Sequence, residues 1–85
     1  MAVVRLGREA RKEFDELPFT IQGRVRAVFA RLTNWPHVSG AKALRGTWSG
    51  CYRIRTGDWR VLFRLVAPDV LVVRIQHRRD VYDDE

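Results

Sequence analysis

In the stretch Tyr52-Arg53-Ile54-Arg55-Thr56-Gly57-Asp58-Trp59-Arg60-Val61-Leu62-Phe63-Arg64-Leu65, apolar and charged residues alternate on both sides of a Gly-Asp pair. Alternation is the period of a strand, and Gly-Asp between two such runs is a tight-turn signal, so the segment predicts a β-hairpin. Side chains two apart share a face. Tyr52 and Ile54 therefore oppose Arg53 and Arg55, while Trp59, Val61, Phe63 and Leu65 oppose Arg60, Leu62 and Arg64. One face of the hairpin is apolar and the other is rich in arginine. A second turn, Ala67-Pro68-Asp69, leads into a third run, Val70-Leu71-Val72-Val73-Arg74-Ile75-Gln76-His77, which reads as a further strand.

Upstream the period changes. Ala2-Val3-Val4-Arg5-Leu6 reads as a short strand ended by Gly7, after which Ala10, Phe14 and Leu17 recur at helical spacing. Pro18 interrupts that helix. Ile21, Val25, Val28, Phe29 and Leu32 then form the buried stripe of a second helix, and Asn34, Pro36, Ser39 and Gly40 mark a loop. The order β-α-α-β-β-β predicts an α+β fold, with an N-terminal helical hairpin packed on one face of a small, mostly antiparallel sheet. Eighty-five residues leave room for a single domain, residues 1–85.

Composition narrows the function. The chain carries a formal charge of +6 and is 46% hydrophobic, which argues for a folded, basic domain rather than disorder. Cys51 is the single cysteine, and His37 and His77 lie far apart, so neither a disulfide nor a metal-ligand cluster is expected. No nucleotide-binding glycine loop is present, and no cofactor is expected. The N-terminus lacks the features of a signal peptide and no apolar run approaches ~18 residues, so a cytoplasmic protein without a membrane contact is expected.

Basic residues are almost all arginine, Lys12 and Lys42 being the two lysines. A GC-rich coding sequence explains that preference, but not why the arginines share strand parity. Arg53, Arg55, Arg60 and Arg64, joined by Arg74 and Arg78, are expected on the sheet face that the helices leave uncovered. Like charges side by side across strands lower stability, and these strands offer only Asp58 and Asp69, both at turns. An anion-binding face is the reading that explains the arrangement.

The blocks Lys42-Ala43-Leu44-Arg45-Gly46, Gly50-Cys51-Tyr52-Arg53-Ile54-Arg55-Thr56-Gly57-Asp58-Trp59-Arg60-Val61 and His77-Arg78-Arg79-Asp80-Val81-Tyr82 resemble the RelE branch of the RelE/ParE toxin superfamily. The resemblance covers most of the chain. It implies the toxin of a type II toxin–antitoxin pair: a ribosome-dependent endoribonuclease that cuts mRNA in the A site. Relatives on the same scaffold inhibit DNA gyrase instead, and that is the alternative. The partners implied are a cognate acidic antitoxin in a hetero-oligomeric complex, together with the ribosome and mRNA. By position, the resemblance gives Arg60, His77, Arg78 and Tyr82 catalytic roles, and Arg45, Arg53 and Arg55 RNA contacts; strand parity adds Arg64 to the RNA contacts. The RNase members carry lysine where Arg53 and Arg55 stand. Arginine holds its proton throughout the ordinary pH range and is a poor proton acceptor, so the charge-stabilising role suits these positions better than a general base.

Metal-free RNA cleavage needs a stabilised phosphorane and two proton transfers. Arg60, then Arg78, are the residues expected to hold the phosphoryl oxygens. His77 is the side chain whose ordinary pKa suits proton transfer near neutrality, although its parity with Ile75 points it toward the core. Tyr82 is expected to stack on a base or position a phosphate. Trp59 and Phe63 are assigned to the core by parity.

Overall fold

A computed structural model describes residues 2–80. The chain runs β1 (Val4–Leu6), α1 (Arg8–Asp15), α2 (Phe19–Leu32), β2 (Lys42–Ala43), β3 (Cys51–Thr56), β4 (Trp59–Val66) and β5 (Asp69–His77), with 3₁₀ turns at Gly46–Trp48 and Arg78–Asp80. The strands form one sheet in the order β1-β5-β4-β3-β2, parallel only between β1 and β5. The expected α+β architecture is present, with one addition. Lys42–Ala43 pairs with Arg53 and Tyr52 as a fifth strand, too short to leave an alternating pattern in the sequence.

The apolar parity of the hairpin faces the helices. Ala10, Leu17, Val25, Val28 and Leu32 pack against Ile54, Val61, Phe63, Val70, Val72 and Ile75. Phe63 is fully buried and lies at the centre of an aromatic cluster, 5.4 Å from Trp35 and 5.6 Å from Tyr52 between ring centroids. Burying a side chain of this size contributes ~1.5–3 kcal/mol, so the core alone fixes which way the sheet faces.

A bulge decides the parity of the last strand. Leu62 lies opposite Arg74 and Phe63 opposite Val72, so Val73 has no cross-strand partner. The extra residue lets Val70, Val72 and Ile75 all reach the core although their spacing is not uniformly even. It also places Gln76 beside Arg60, and His77 beside Trp59 on the helix side.

Two expectations about the arginine face need correction. The face is not bare: Leu62 is 1% exposed and Leu44 9%, and both lie outside the main core cluster. Leu62 sits between Arg53 and Arg74 in a cross-strand row, and Arg53 is itself buried, so this row is shielded from water although no helix lies over it. Arg74 does not join the basic cluster. Strand β1 pairs with β5 only as far as Val72, which exposes the edge beyond it. Glu13 of α1 fills that gap, accepting from the Ile75 N–H at 2.8 Å and from Arg74 Nε and Nη2 at 3.1 and 2.9 Å. The hydrogen bond from Arg74 to Glu13 raises the guanidinium pKa further, against the opposing effect of burial, and so holds Arg74 in its charged form.

The β3–β4 turn is two residues long, Thr56 pairing with Trp59, and Gly57 has φ +61. Positive φ at the first central position is where such a turn requires glycine. A Cβ there would also meet Arg24 Nη1 at 3.0 Å. Gly57→Ala is therefore expected to lower stability by ~1–2 kcal/mol, the usual cost of left-handed backbone for an alanine, as read from the urea midpoint. Among the described residues no helix is long and apolar enough to cross a membrane.

Candidate anion-binding site

Cross-strand partners share a face, so the pairing defines the arginine surface row by row. Arg55, Arg60 and Gln76 form the row nearest the β3–β4 turn, followed by Lys42, Arg53, Leu62 and Arg74, and then by Cys51, Arg64, Leu71 and Arg5. The first row opens into a cavity of about 160 Å³ lined by Arg55, Gly57, Asp58, Arg60 and Arg78. Three guanidinium groups from three different segments converge there.

Each is placed by a separate device. Arg55 and Arg60 are a directly opposed antiparallel pair, fixed by the two-residue turn between their strands. Arg78 follows β5 and is tied to the turn by its backbone N–H, which donates to the Asp58 carbonyl at 2.8 Å, while its Nη1 lies 3.8 Å from Asp58 Oδ1. Arg60 is half-buried, whereas Arg55 and Arg78 are exposed. A half-buried guanidinium supplies rigid forked donors in a partly desolvated setting, where such contacts to a phosphate oxygen are strongest. The cavity suits a tetrahedral oxyanion held by several N–H groups.

The sequence-derived residues divide into three groups. Arg55, Arg60 and Arg78 are brought together. Arg53 stands one row away and is buried. Arg64 and Arg45 are exposed at the opposite end of β3: Arg64 pairs with Cys51, and Arg45 precedes the 3₁₀ turn beyond β2. Cys51 and Arg55 are four residues apart on one strand, ~13 Å, so Arg64 and Arg45 extend the surface rather than line the cavity. His77 is not brought to the arginines. It faces the helix side, edge-on to Trp59 with ring centroids 5.1 Å apart, and its Nδ1 accepts from the Arg79 N–H at 3.3 Å. Tyr82 lies outside the described residues.

Sequence reasoning missed Arg24 and Gln76. Arg24 reaches from α2 to the Gly57 turn, a contact between elements far apart in sequence that leaves no local signal. Gln76 is 7% exposed, stands beside Arg60, and its Oε1 has no hydrogen-bond donor among the described residues. A polar residue buried inside an apolar strand was the available clue.

Comparison with known proteins gives the same family from several directions. The sequence profile of the family described as ParE toxin of type II toxin–antitoxin system matches residues 4–82. Toxin RelG of Mycobacterium tuberculosis is 33% identical over 82 residues, covering 93% of each chain. Among solved structures, the RelBE2 toxin–antitoxin complex of Mycobacterium tuberculosis superposes with a TM-score of 0.79 at 30% identity, again over 93% of each chain. The isolated E. coli RelE toxin shares the fold, with a TM-score of 0.75 at 20% identity over 91% of this chain and 84% of its own. Motif blocks, sheet order and these matches converge: the chain belongs to the ParE toxin family, within the RelE/ParE superfamily of type II toxins.

Proposed function

We propose that this toxin is a ribosome-dependent endoribonuclease that cuts mRNA in the A site, the RNA's own 2′-OH acting as nucleophile. The 2′-OH gives up its proton as its oxygen bonds to the adjacent phosphorus, the P–O5′ bond breaks and the leaving O5′ takes up a proton, so the products are a 2′,3′-cyclic phosphate and a 5′-OH. The observation that carries this reading is the convergence of Arg55, Arg60 and Arg78 on one cavity of phosphate scale. The 33% identity to Toxin RelG supports it. Arg60 and Arg78 hold the non-bridging oxygens, and charge accumulating on the phosphorane strengthens those contacts in the transition state. Arg53, Arg64 and Arg45 continue the basic surface along the strands and hold flanking phosphates. No arginine serves as the base, since a guanidinium remains protonated throughout the neutral range.

A cognate antitoxin is the natural inhibitor, and several structural neighbours are toxin–antitoxin complexes with RelB. An acidic segment laid over the arginine rows would neutralise them and occlude the cavity in a hetero-oligomer. The family profile, which describes ParE toxins, favours inhibition of DNA gyrase as the second reading. Mapping RNA 5′ ends on translating ribosomes after expression separates the two. Cuts inside the A-site codon, each with a 5′-OH, are expected; intact mRNA with accumulating gyrase-cleaved DNA overturns the nuclease reading.

Phosphate contact also has a salt signature. Three arginine contacts to single-stranded RNA predict a slope of log K against log salt of about −2, falling by ~0.7 in Arg78→Ala. Fluorescence anisotropy with a short RNA across a salt series measures both.

A further inference from the structure

The end of the sheet that carries the arginine cavity has a second pocket on its helix side. It has a volume of about 300 Å³ and is lined by Glu13, Glu16, Leu17, Trp59, Arg74, Ile75, Gln76 and His77. Leu17 and Ile75 belong to the core and give the pocket an apolar floor. Trp59 and His77 meet at an interplanar angle of 86°, so their rings form a corner into which a flat group fits, face against one ring and edge against the other. Glu13 and Arg74, already joined to each other, and the buried Gln76 complete its lining. The exposed Glu16 stands at the rim.

The two pockets are one residue apart along two adjacent strands. Trp59 precedes Arg60 and His77 precedes Arg78; the aromatic members line one pocket and the arginines the other. Gln76 joins them, lining the second pocket while pairing with Arg60 across the sheet.

We infer that the Trp59–His77 pocket is a nucleobase subsite, taking the base of a nucleotide whose phosphate is held by Arg60 and Arg78; the inference rests on the phosphate-binding reading of that cavity. A planar corner above an apolar floor selects an aromatic ring over a sugar or an aliphatic chain. The acceptor at the rim, the Glu16 carboxylate, selects a base with an exocyclic amine. Cytosine and uracil form the clean comparison, because cytosine offers an amine donor where uracil offers a carbonyl acceptor.

The test is titration of the isotope-labelled protein with cytidine 5′-monophosphate, uridine 5′-monophosphate and ribose 5-phosphate, followed through the Trp59 indole N–H resonance. Trp35 and Trp48 serve as internal controls. The cytidine nucleotide is expected to shift Trp59 and to bind about tenfold or more tightly than ribose 5-phosphate, the scale of one base–aromatic stack. The uridine nucleotide should fall between them. Trp59→Leu, titrated by calorimetry because it lacks the indole probe, should reduce the cytidine nucleotide to the affinity of ribose 5-phosphate. Glu16→Gln, at an exposed position, should erase the preference for cytidine over uridine without unfolding the chain. Equal affinity for all three compounds, or a Trp59 resonance that does not move, overturns the subsite. Failure of mRNA cleavage with these preferences intact would remove the nuclease reading and leave the subsite standing. Cleavage without base preference would do the reverse.

Discussion

Arg60→Ala lowers mRNA cleavage on translating ribosomes by about 10²–10³-fold, the scale on which loss of one preorganised transition-state donor is felt, ~2.7–4 kcal/mol. The size of the effect follows from where Arg60 sits. It is the half-buried member of the cavity, held in the middle of the sheet between Arg55 on one neighbouring strand and Gln76 on the other. Its guanidinium therefore meets the developing phosphorane without first being ordered, whereas Arg55 and Arg78 are more exposed and gain less from desolvation. Arg60→Lys keeps the charge but loses the planar fork, and recovers only part of the rate. Because Arg60 lies on the face opposite the main core, the thermal midpoint changes little in either variant. Undiminished cleavage in Arg60→Ala would remove this residue from the chemistry without changing the family.

How much of this was readable from the chain depended on whether a feature was local. The hairpin, its apolar parity and the opposed Arg55–Arg60 pair were legible because strand period and turn chemistry act over a few residues. The bulge at Val73 was not, because an extra residue in one strand is defined only by its partner strand. That single irregularity brings Val70, Val72 and Ile75 to one face although their spacing is uneven, and sets the places of the residues around Ile75. Arg74 turns to the strand edge and Glu13, Gln76 takes the place beside Arg60, and His77 stays with Trp59. The assignment of Trp59 to the core holds in part: it packs against the core and also lines an open pocket. Lys42–Ala43 and Arg24 were invisible for the same reason, since each acquires its role only from a neighbour distant in sequence.

Glu13 shows how stability and function are linked through that edge. Glu13→Ala is expected to destabilise the fold by ~2–3 kcal/mol in urea unfolding, out of a total of roughly 4–13 kcal/mol for a chain this long. The loss combines two charge-assisted contacts to Arg74 with the acceptor for the otherwise unpaired Ile75 N–H at the exposed stretch of β5. Both groups of the ion pair are roughly a quarter exposed, at 30% and 26%, which keeps the figure below that of a fully buried pair. Glu13→Gln keeps a carbonyl oxygen for Ile75 but places a neutral amide against the guanidinium, and should recover about half of the loss. The same change alters the charge of the basic surface. Arg74 shares a cross-strand row with Arg53 and Leu62, and without Glu13 the carboxylate of Glu9, at 3.7 Å, remains beside it. Glu13→Ala should therefore bind single-stranded RNA with a steeper salt dependence, by ~0.7 in slope for one additional phosphate contact, while cleavage per bound ribosome does not rise. Glu13 thus acts as a brace for the strand edge and as the group that withholds one arginine from the anion-binding face. A variant that lost stability without any change in the salt slope would leave it only the first of those roles.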